Sequence, residues 1–390
     1  MAKFKFIDLF CGLGGFHVAL AKLGGECVFA SDIDPDCRRI YEDNHGVKPE
    51  GDITKIHEKD IPAHDVLCAG FPCQAFSKAG KREGMADSRG TLFFDIVRIV
   101  KEHKPSYLML ENVRNLIGHD DGNTWRVIKE TLQRLGYSFP EEPIIFSPHL
   151  LGIPQFRERV FILCQRKDLA ERITIETPSK KPECDPGKIL LDDEKKVPNI
   201  SRYTISEKEN NVLKLWNEFI QGIQGPIPAF PVWSDEFKEK NLKANLDNLP
   251  DWKRTIILRN RALYEQNKKF IGTWMRRCAQ NEFFMGSKAK LEWQAGEDAT
   301  PDIFEHILQF RPSGVRVKRP TYFPALVAIT QTSIVGKLRR RLTPRETARL
   351  QSFPDDFKLH PNDRIAYKQL GNSVNVDVVH YFAKQLLTKA

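Results

Sequence analysis

The stretch from Lys3 to Asp34 limits this chain more than any other. Phe4 and Phe6 alternate with lysines before the sequence turns continuously apolar through Phe10, as a strand does on entering a sheet interior. Cys11-Gly12-Leu13-Gly14-Gly15 follows, and then Phe16, Ala19, Leu20 and Leu23 at helical spacing, stopped by Gly24-Gly25. Cys27 to Ala30 is a second strand ending at Ser31-Asp32-Ile33-Asp34, with Asp32 twenty residues beyond Gly12. A strand, glycine turn, helix and strand in that order predict an α/β chain whose first turn admits a ligand, with Asp32 placed for ribose hydroxyls. His17 stands where a dinucleotide fingerprint needs its third glycine, which disfavours a pyrophosphate at the helix start and leaves adenosyl cofactors that lack one.

The alternation continues. Pro35–Asn44 reads as a helix, Gly51-Asp52-Ile53-Thr54 as a loop bearing an acid, and Asp65–Ala69 as a strand stopped by Gly70. Phe71-Pro72-Cys73-Gln74 then turns stiffly, because Pro72 fixes its own φ and pushes Phe71 towards extended geometry. The segment from Lys78 to Asp87 is polar and glycine-containing and reads as a loop able to close over an anion. A helix from Thr91 and a strand Ser106–Leu110 ending at Glu111-Asn112-Val113 come next. Trp125–Leu135 reads as a helix, and Pro143–Phe146 and Val160–Cys164 as strands, the last preceded by Gln155-Phe156-Arg157-Glu158-Arg159. Three strand ends thus offer an acid (Asp32), a thiol (Cys73) and a second acid (Glu111) where open α/β sheets bind ligands.

From about residue 168 the style changes. Prolines at 178, 182 and 186 mark a linker. Ser206 with Glu209 opens an amphipathic helix, and helical patches are expected at 235–246 and 250–278, with Trp252 and Trp274 in a core. Residues 1–167 hold 23 basic and 23 acidic side chains, so the whole net charge of +9 falls on the remainder. Arg311 to Arg349 alone has ten basic residues against Glu346. Such a run is either a solvated face or a surface for a polyanion. The eight cysteines include no C-x-x-C pair and no zinc spacing, so no metal is expected. No stretch is apolar and long enough to span a membrane, and a cytoplasmic location is expected.

Six pieces, in this order, resemble the C5-cytosine DNA methyltransferases of bacterial restriction–modification systems. They are Phe10-x-Gly12-x-Gly14-Gly15, Gly70-Phe71-Pro72-Cys73-Gln74, Glu111-Asn112-Val113, Gln155-x-Arg157-x-Arg159, Arg341-x-x-Thr343-Pro344-Arg345-Glu346 and Gly371-Asn372-Ser373-Val374. The resemblance implies a doubly wound, mostly parallel sheet of the S-adenosylmethionine-dependent methyltransferase fold, with a second, smaller DNA target-recognition domain. The expected division is 1–180 for catalysis and cofactor, 181–342 for target recognition, and 343–390 returning to the catalytic domain. The resemblance also implies S-adenosylmethionine as cofactor, bound by Phe10, Gly12, Leu13, Gly14, Gly15, Asp32, Ile33, Asp52, Ile53, Pro72, Leu92, Asn372 and Ser373. Cys73 is implied as nucleophile on C6 of cytosine, Glu111 as the partner of N3, and Arg159 with Arg157 as holders of O2 and a phosphate. Lys81, Arg82, Arg311, Arg316, Lys318 and Arg319 are the expected DNA contacts. The expected partners are double-stranded DNA and a restriction endonuclease acting on the same site; the chain itself is expected to be monomeric. A tRNA cytosine methyltransferase, a catalytically silent DNA-binding subunit and a nicotinamide oxidoreductase remain as alternative readings.

Overall fold

The computed structural model describes residues 3–72, 92–169, 173–180, 182–191, 197, 199–326 and 332–388. Cys73, Lys81 and Arg82 lie outside the described residues. The chain divides into two compact units: Met1–Asp185 with Pro324–Thr330 and Pro344–Ala390, and Pro186–Phe323 with Gln331–Thr343.

The first unit is built on a seven-stranded sheet. Its strands are β1 (Phe4–Leu9), β2 (Gly25–Ser31), β3 (Val66–Gly70), β4 (Tyr107–Val113), β5 (Tyr137–Ser138), β6 (Ile144–Phe146) and, after the two-residue β7 (Gln155–Phe156), β8 (Arg159–Arg166). The order is β2-β1-β3-β4-β8-β5, with β6 also on β8. The pairs β1–β2, β1–β3 and β3–β4 are parallel, whereas β8 runs antiparallel to β4. The chain leaves β1 towards β2 through helix α1 (Gly15–Ala21), and returns to β1's other side at β3 after α2 (Pro35–His45). The sheet therefore has its switch point between β1 and β3, and a crevice opens outside their carboxyl ends.

Both faces of the sheet are covered, which is why its strands read as unbroken apolar runs. On one face α3 (Leu92–His103) and α4 (Asn123–Arg134) bury Ile96, Val100, Ile128 and Leu132 against Leu67, Leu108 and Ile162. On the other, Phe16 and Leu20 of α1 meet Val379, Phe382 and Leu386 of the terminal helix α11 (Val376–Thr388).

The second unit has a six-stranded sheet whose central hairpin is β11 (Ile307–Arg311) with β12 (Gly314–Lys318), and its helices α5 (Glu207–Gly222), α7 (Asp251–Gln266) and α8 (Lys268–Ala279) carry an aromatic core. Trp216 and Trp274 are fully buried with ring centroids 5.2 Å apart. Three sequence expectations change. The patch at 250–278 is two helices, because Asn267 leaves helical geometry and its side-chain oxygen accepts from Gln224 N at 2.6 Å. The patch at 235–246 holds only the four-residue α6 (Glu239–Leu242) after a 3-10 turn. Trp252, expected in the core, is 63% exposed at the start of α7.

Candidate active site

A cavity of about 470 Å³ opens at the switch point. Its wall begins with the glycine turn. Phe10 and Gly12 both have positive φ, 55° and 52°, and a Cβ on Gly12 would meet nothing within 4 Å, so the backbone there faces open space. Gly12 N donates to Asp32 Oδ2 at 2.8 Å and Asp34 N to Asp32 Oδ1 at 2.8 Å, which locks the ends of β1 and β2 together through one carboxylate. Burial raises the Asp32 pKa, and those two backbone donors pull it back down.

Phe10, Gly12, Asp32, Ile33, Asp52, Ile53, Pro72, Leu92 and Asn372, all expected at the cofactor, line this cavity. Leu13, Gly14, Gly15 and Ser373 do not line it. Leu13 is 1% exposed in the core beneath the turn, and a Cβ on Gly15 would run into Val374 and Ser373. Gly14 caps α1 in the left-handed region, where a side chain would strike His45. Ser373 is buried, with its hydroxyl donating to Val374 O. These four shape the turn from behind.

Glu111, at the carboxyl end of β4, shares the cavity. It is 8% exposed, and its Oε1 lies 3.1 Å from Arg159 Nε. Burial raises its pKa above the ordinary carboxylate value; Arg159 and Arg157 oppose that rise without cancelling it. Arg157 stands differently from the sequence expectation that it holds base or phosphate. It is 3% exposed, and its guanidinium donates to Leu326 O at 2.9 Å, Gly371 O at 2.9 Å and Ser373 O at 3.0 Å. Burial lowers its pKa to about 9. Arg157 thus ties the segment 371–373 to the sheet; both arginines line the cavity, and Arg159 there meets the Glu111 carboxylate and donates from Nη1 to Glu158 O at 2.8 Å.

Three supporting residues escaped the sequence reading. Asn112 Nδ2 donates to Phe71 O at 2.8 Å, which fixes the chain two residues before Cys73. Arg38 Nη1 donates to Asp32 O and Ile33 O at 2.8 and 3.0 Å, and Arg98 Nη2 to Ile53 O at 2.6 Å. Asn112 follows Glu111 in a motif already singled out and was open to notice. Nothing local in sequence marks the two arginines, whose targets are carbonyls of other segments.

The wall suits an adenosyl sulfonium. Three carboxylates (Asp32, Asp34, Asp52) line it, Asp34 paired with Lys368 at 3.1 Å, which suits a ligand carrying positive charge, and Ile33, an apolar side chain 73% exposed, offers a surface for a flat ring. A family model described as C-5 cytosine-specific DNA methylase matches residues 4–388. The chain belongs to that family. This methyltransferase is 38% identical to the Type II methyltransferase M.AluI of Cellulosimicrobium cellulans, covering 98% of this chain and 92% of that protein. It is 35% identical to the Type II methyltransferase M.HhaI of Haemophilus parahaemolyticus, covering 97% and 93%. Its fold is shared by the crystal structure of an S. pombe Dnmt2 methyltransferase, with a TM-score of 0.54 at 19% identity and 99% of both chains covered. The protein is a DNA cytosine-5 methyltransferase, and S-adenosylmethionine is its methyl donor. Among the described residues no helix is long and apolar enough to cross a membrane, and no group of side chains could hold a metal ion.

Proposed function

We propose that Cys73, Glu111 and Arg159 carry the methyl transfer on a cytosine turned out of double-stranded DNA. The observation that supports this most is that Pro72, the residue before Cys73, lines the same cavity as Glu111 and Arg159.

Cytosine C5 is a poor nucleophile while its ring is aromatic. The Cys73 thiolate forms a bond to C6, and the displaced π electrons make C5 a nucleophilic carbon while negative charge grows towards N3. Glu111, whose raised pKa keeps a proton available at higher pH than an ordinary carboxyl, gives that proton to N3. Arg159 holds the O2 side of the ring. S-adenosylmethionine, when bound, supplies a sulfonium-activated methyl group, held by Asp32, Asp52, Ile33 and the glycine turn. Once C5 carries the methyl group, solvent takes the C5 proton, the C6–sulfur bond breaks so that Cys73 departs as thiolate, and N3 returns its proton to Glu111 as the ring is restored. Turning the base out costs a few kcal/mol, offset by contacts to the DNA backbone.

The second unit reads the target sequence in this proposal, with Arg311, Arg316, Lys318 and Arg319 among its DNA contacts, and Lys81 and Arg82 of the first unit add further contacts to the DNA. The relatives named above are Type II methyltransferases, and by that likeness the protein acts as a cytoplasmic monomer that shields its site from a cognate restriction endonuclease. Bisulfite sequencing of DNA from cells expressing the protein tests the reading: one short motif becomes fully protected. Methylation of tRNA but not of duplex DNA by the purified enzyme would overturn it. Cys73→Ala abolishes transfer yet leaves specific DNA binding within about threefold; loss of both together would remove Cys73 as nucleophile.

A further inference from the structure

Behind the glycine turn lies a polar cluster that the chemistry above does not use. His45, in the last turn of α2, has Nε2 3.1 Å from Leu13 O, so this nitrogen carries the proton and donates to the turn. The His17 ring of α1 stacks on the His45 ring with centroids 4.0 Å apart and planes 16° from parallel. His17 Nδ1 lies 2.8 Å from Tyr41 Oη, and the Tyr41 hydroxyl reaches Asp8 Oδ2 of β1 at 3.5 Å and Cys27 Sγ of β2 at 3.5 Å. From the far side Phe357 packs against His45, with ring centroids 5.9 Å apart. Asp8 is fully buried, and its Oδ1 has no hydrogen-bond partner among the described residues.

The turn is in direct contact with this cluster. A Cβ on Gly14 would strike the His45 ring, whereas one on Gly12 would meet nothing. The turn thus has one open side, towards the cavity, and one side pressed on His45. Leu13, whose carbonyl receives the His45 proton, sits between the two glycines and follows the one that donates to Asp32. Burial lowers the pKa of both rings, His17's to about 3 with the neighbouring His45 adding to the effect, so the neutral forms are favoured. They hold the turn as neutral rings.

We propose that His45, backed by His17 and Tyr41, is a positioning residue for the cofactor: its hydrogen bond to Leu13 O pre-sets the turn, and it acts on cofactor affinity while leaving the chemical step alone. A turn that must be ordered on binding loses affinity to that ordering, and a pre-set turn does not. The proposal rests on the cavity at the turn being the cofactor's.

The test compares His45→Phe, which keeps a stacking ring but removes the donor, with His45→Gln, whose amide nitrogen reaches about as far as Nε2 and still donates. S-adenosylhomocysteine binding is read by calorimetry beside KM and kcat. The expectation for H45F is a roughly tenfold rise in both the Kd and the KM for S-adenosylmethionine (about 1.4 kcal/mol), with kcat at saturation and the Kd for duplex DNA within twofold. H45Q returns to within threefold of the parent. Should H45F not fold, Tyr41→Phe removes the hydroxyl behind His17 and raises the same Kd two- to fourfold. Equal behaviour of H45F and H45Q, an unchanged Kd in H45F or Y41F, or a loss confined to kcat would each overturn the proposal. Failure of the parent protein to bind S-adenosylhomocysteine would instead strike at the cofactor assignment of the cavity.

Discussion

Two glutamate–arginine pairs, one in each unit, show how the same residue types serve different ends. In the first unit Glu111 and Arg159 meet through one contact of 3.1 Å, at the carboxyl end of a strand and on the wall of a cavity. In the second, Glu292 Oε2 takes both Nε and Nη2 of Arg316 at 2.8 Å, between strands β10 (Lys290–Gln294) and β12. The first pair is loosely engaged, and burial leaves its carboxyl readier to hold a proton. The second is closed on itself, so in the proposed DNA complex Arg316 reaches a phosphate only by loosening from Glu292. Beside it, Lys318 has its pKa lowered by burial and then by Arg316 and Arg311, the mark of crowded positive charge that a polyanion would relieve. Proximity of opposite charges is therefore no guide to role; the number of contacts between the partners and the cavity beside them are.

The comparison breaks most decisively at Glu111. Glu111→Gln removes the transferable proton and lowers kcat by roughly 10²–10³-fold, read in single-turnover methylation. Stability moves the other way. Because the folded pKa is raised, the native state holds more protons than the unfolded chain just above pH 4.5, and stability falls as pH rises through that window. E111Q removes that slope, so urea unfolding at neutral pH finds it at least as stable as the parent. A variant that lost stability and activity in parallel would make Glu111 structural.

Arg157 is the next test, since it differs from Arg159 in partners while lying two residues away. Arg157→Ala removes the hydrogen bonds to three carbonyls and costs about 3 kcal/mol in urea unfolding. Arg159→Ala costs less than half of that and loses activity at full folding. Asp32→Ala follows, raising the KM for S-adenosylmethionine about tenfold by releasing the turn, with kcat little changed; an unchanged KM would separate Asp32 from the cofactor. The smallest effects belong to the second unit. Lys318→Ala weakens duplex DNA binding a few-fold and reduces the salt slope by about 1. Glu292→Gln releases Arg316 and strengthens binding at low salt. If neither substitution changes the salt dependence, the β12 strand does not face DNA.

Much of this was already legible in the chain. The β–turn–α–β start, the strand ends at Asp32, Gly70 and Glu111, and the proline cap of α2 follow from apolar period, glycine and proline, which act locally. The sequence by itself also pointed to the residue types proposed for the chemistry, because a thiol and two acids stand at the predicted ends of strands and two arginines just before another.

Tertiary structure decided which partners the described ones among them meet. Two arginines in Arg157-Glu158-Arg159 read alike, and only the fold brings Leu326, Gly371 and Ser373 to one of them. The glycine turn looks like four equivalent cofactor contacts in sequence, yet Gly12 faces the cavity while Leu13, Gly14 and Gly15 face His45, Val374 and the core. His17 first counted as a missing glycine and proves to be a ring stacked beneath the turn. Pattern along a chain records which side chains are apolar and where the backbone must bend. The assignment of a hydrogen bond between segments hundreds of residues apart is made only when those segments pack.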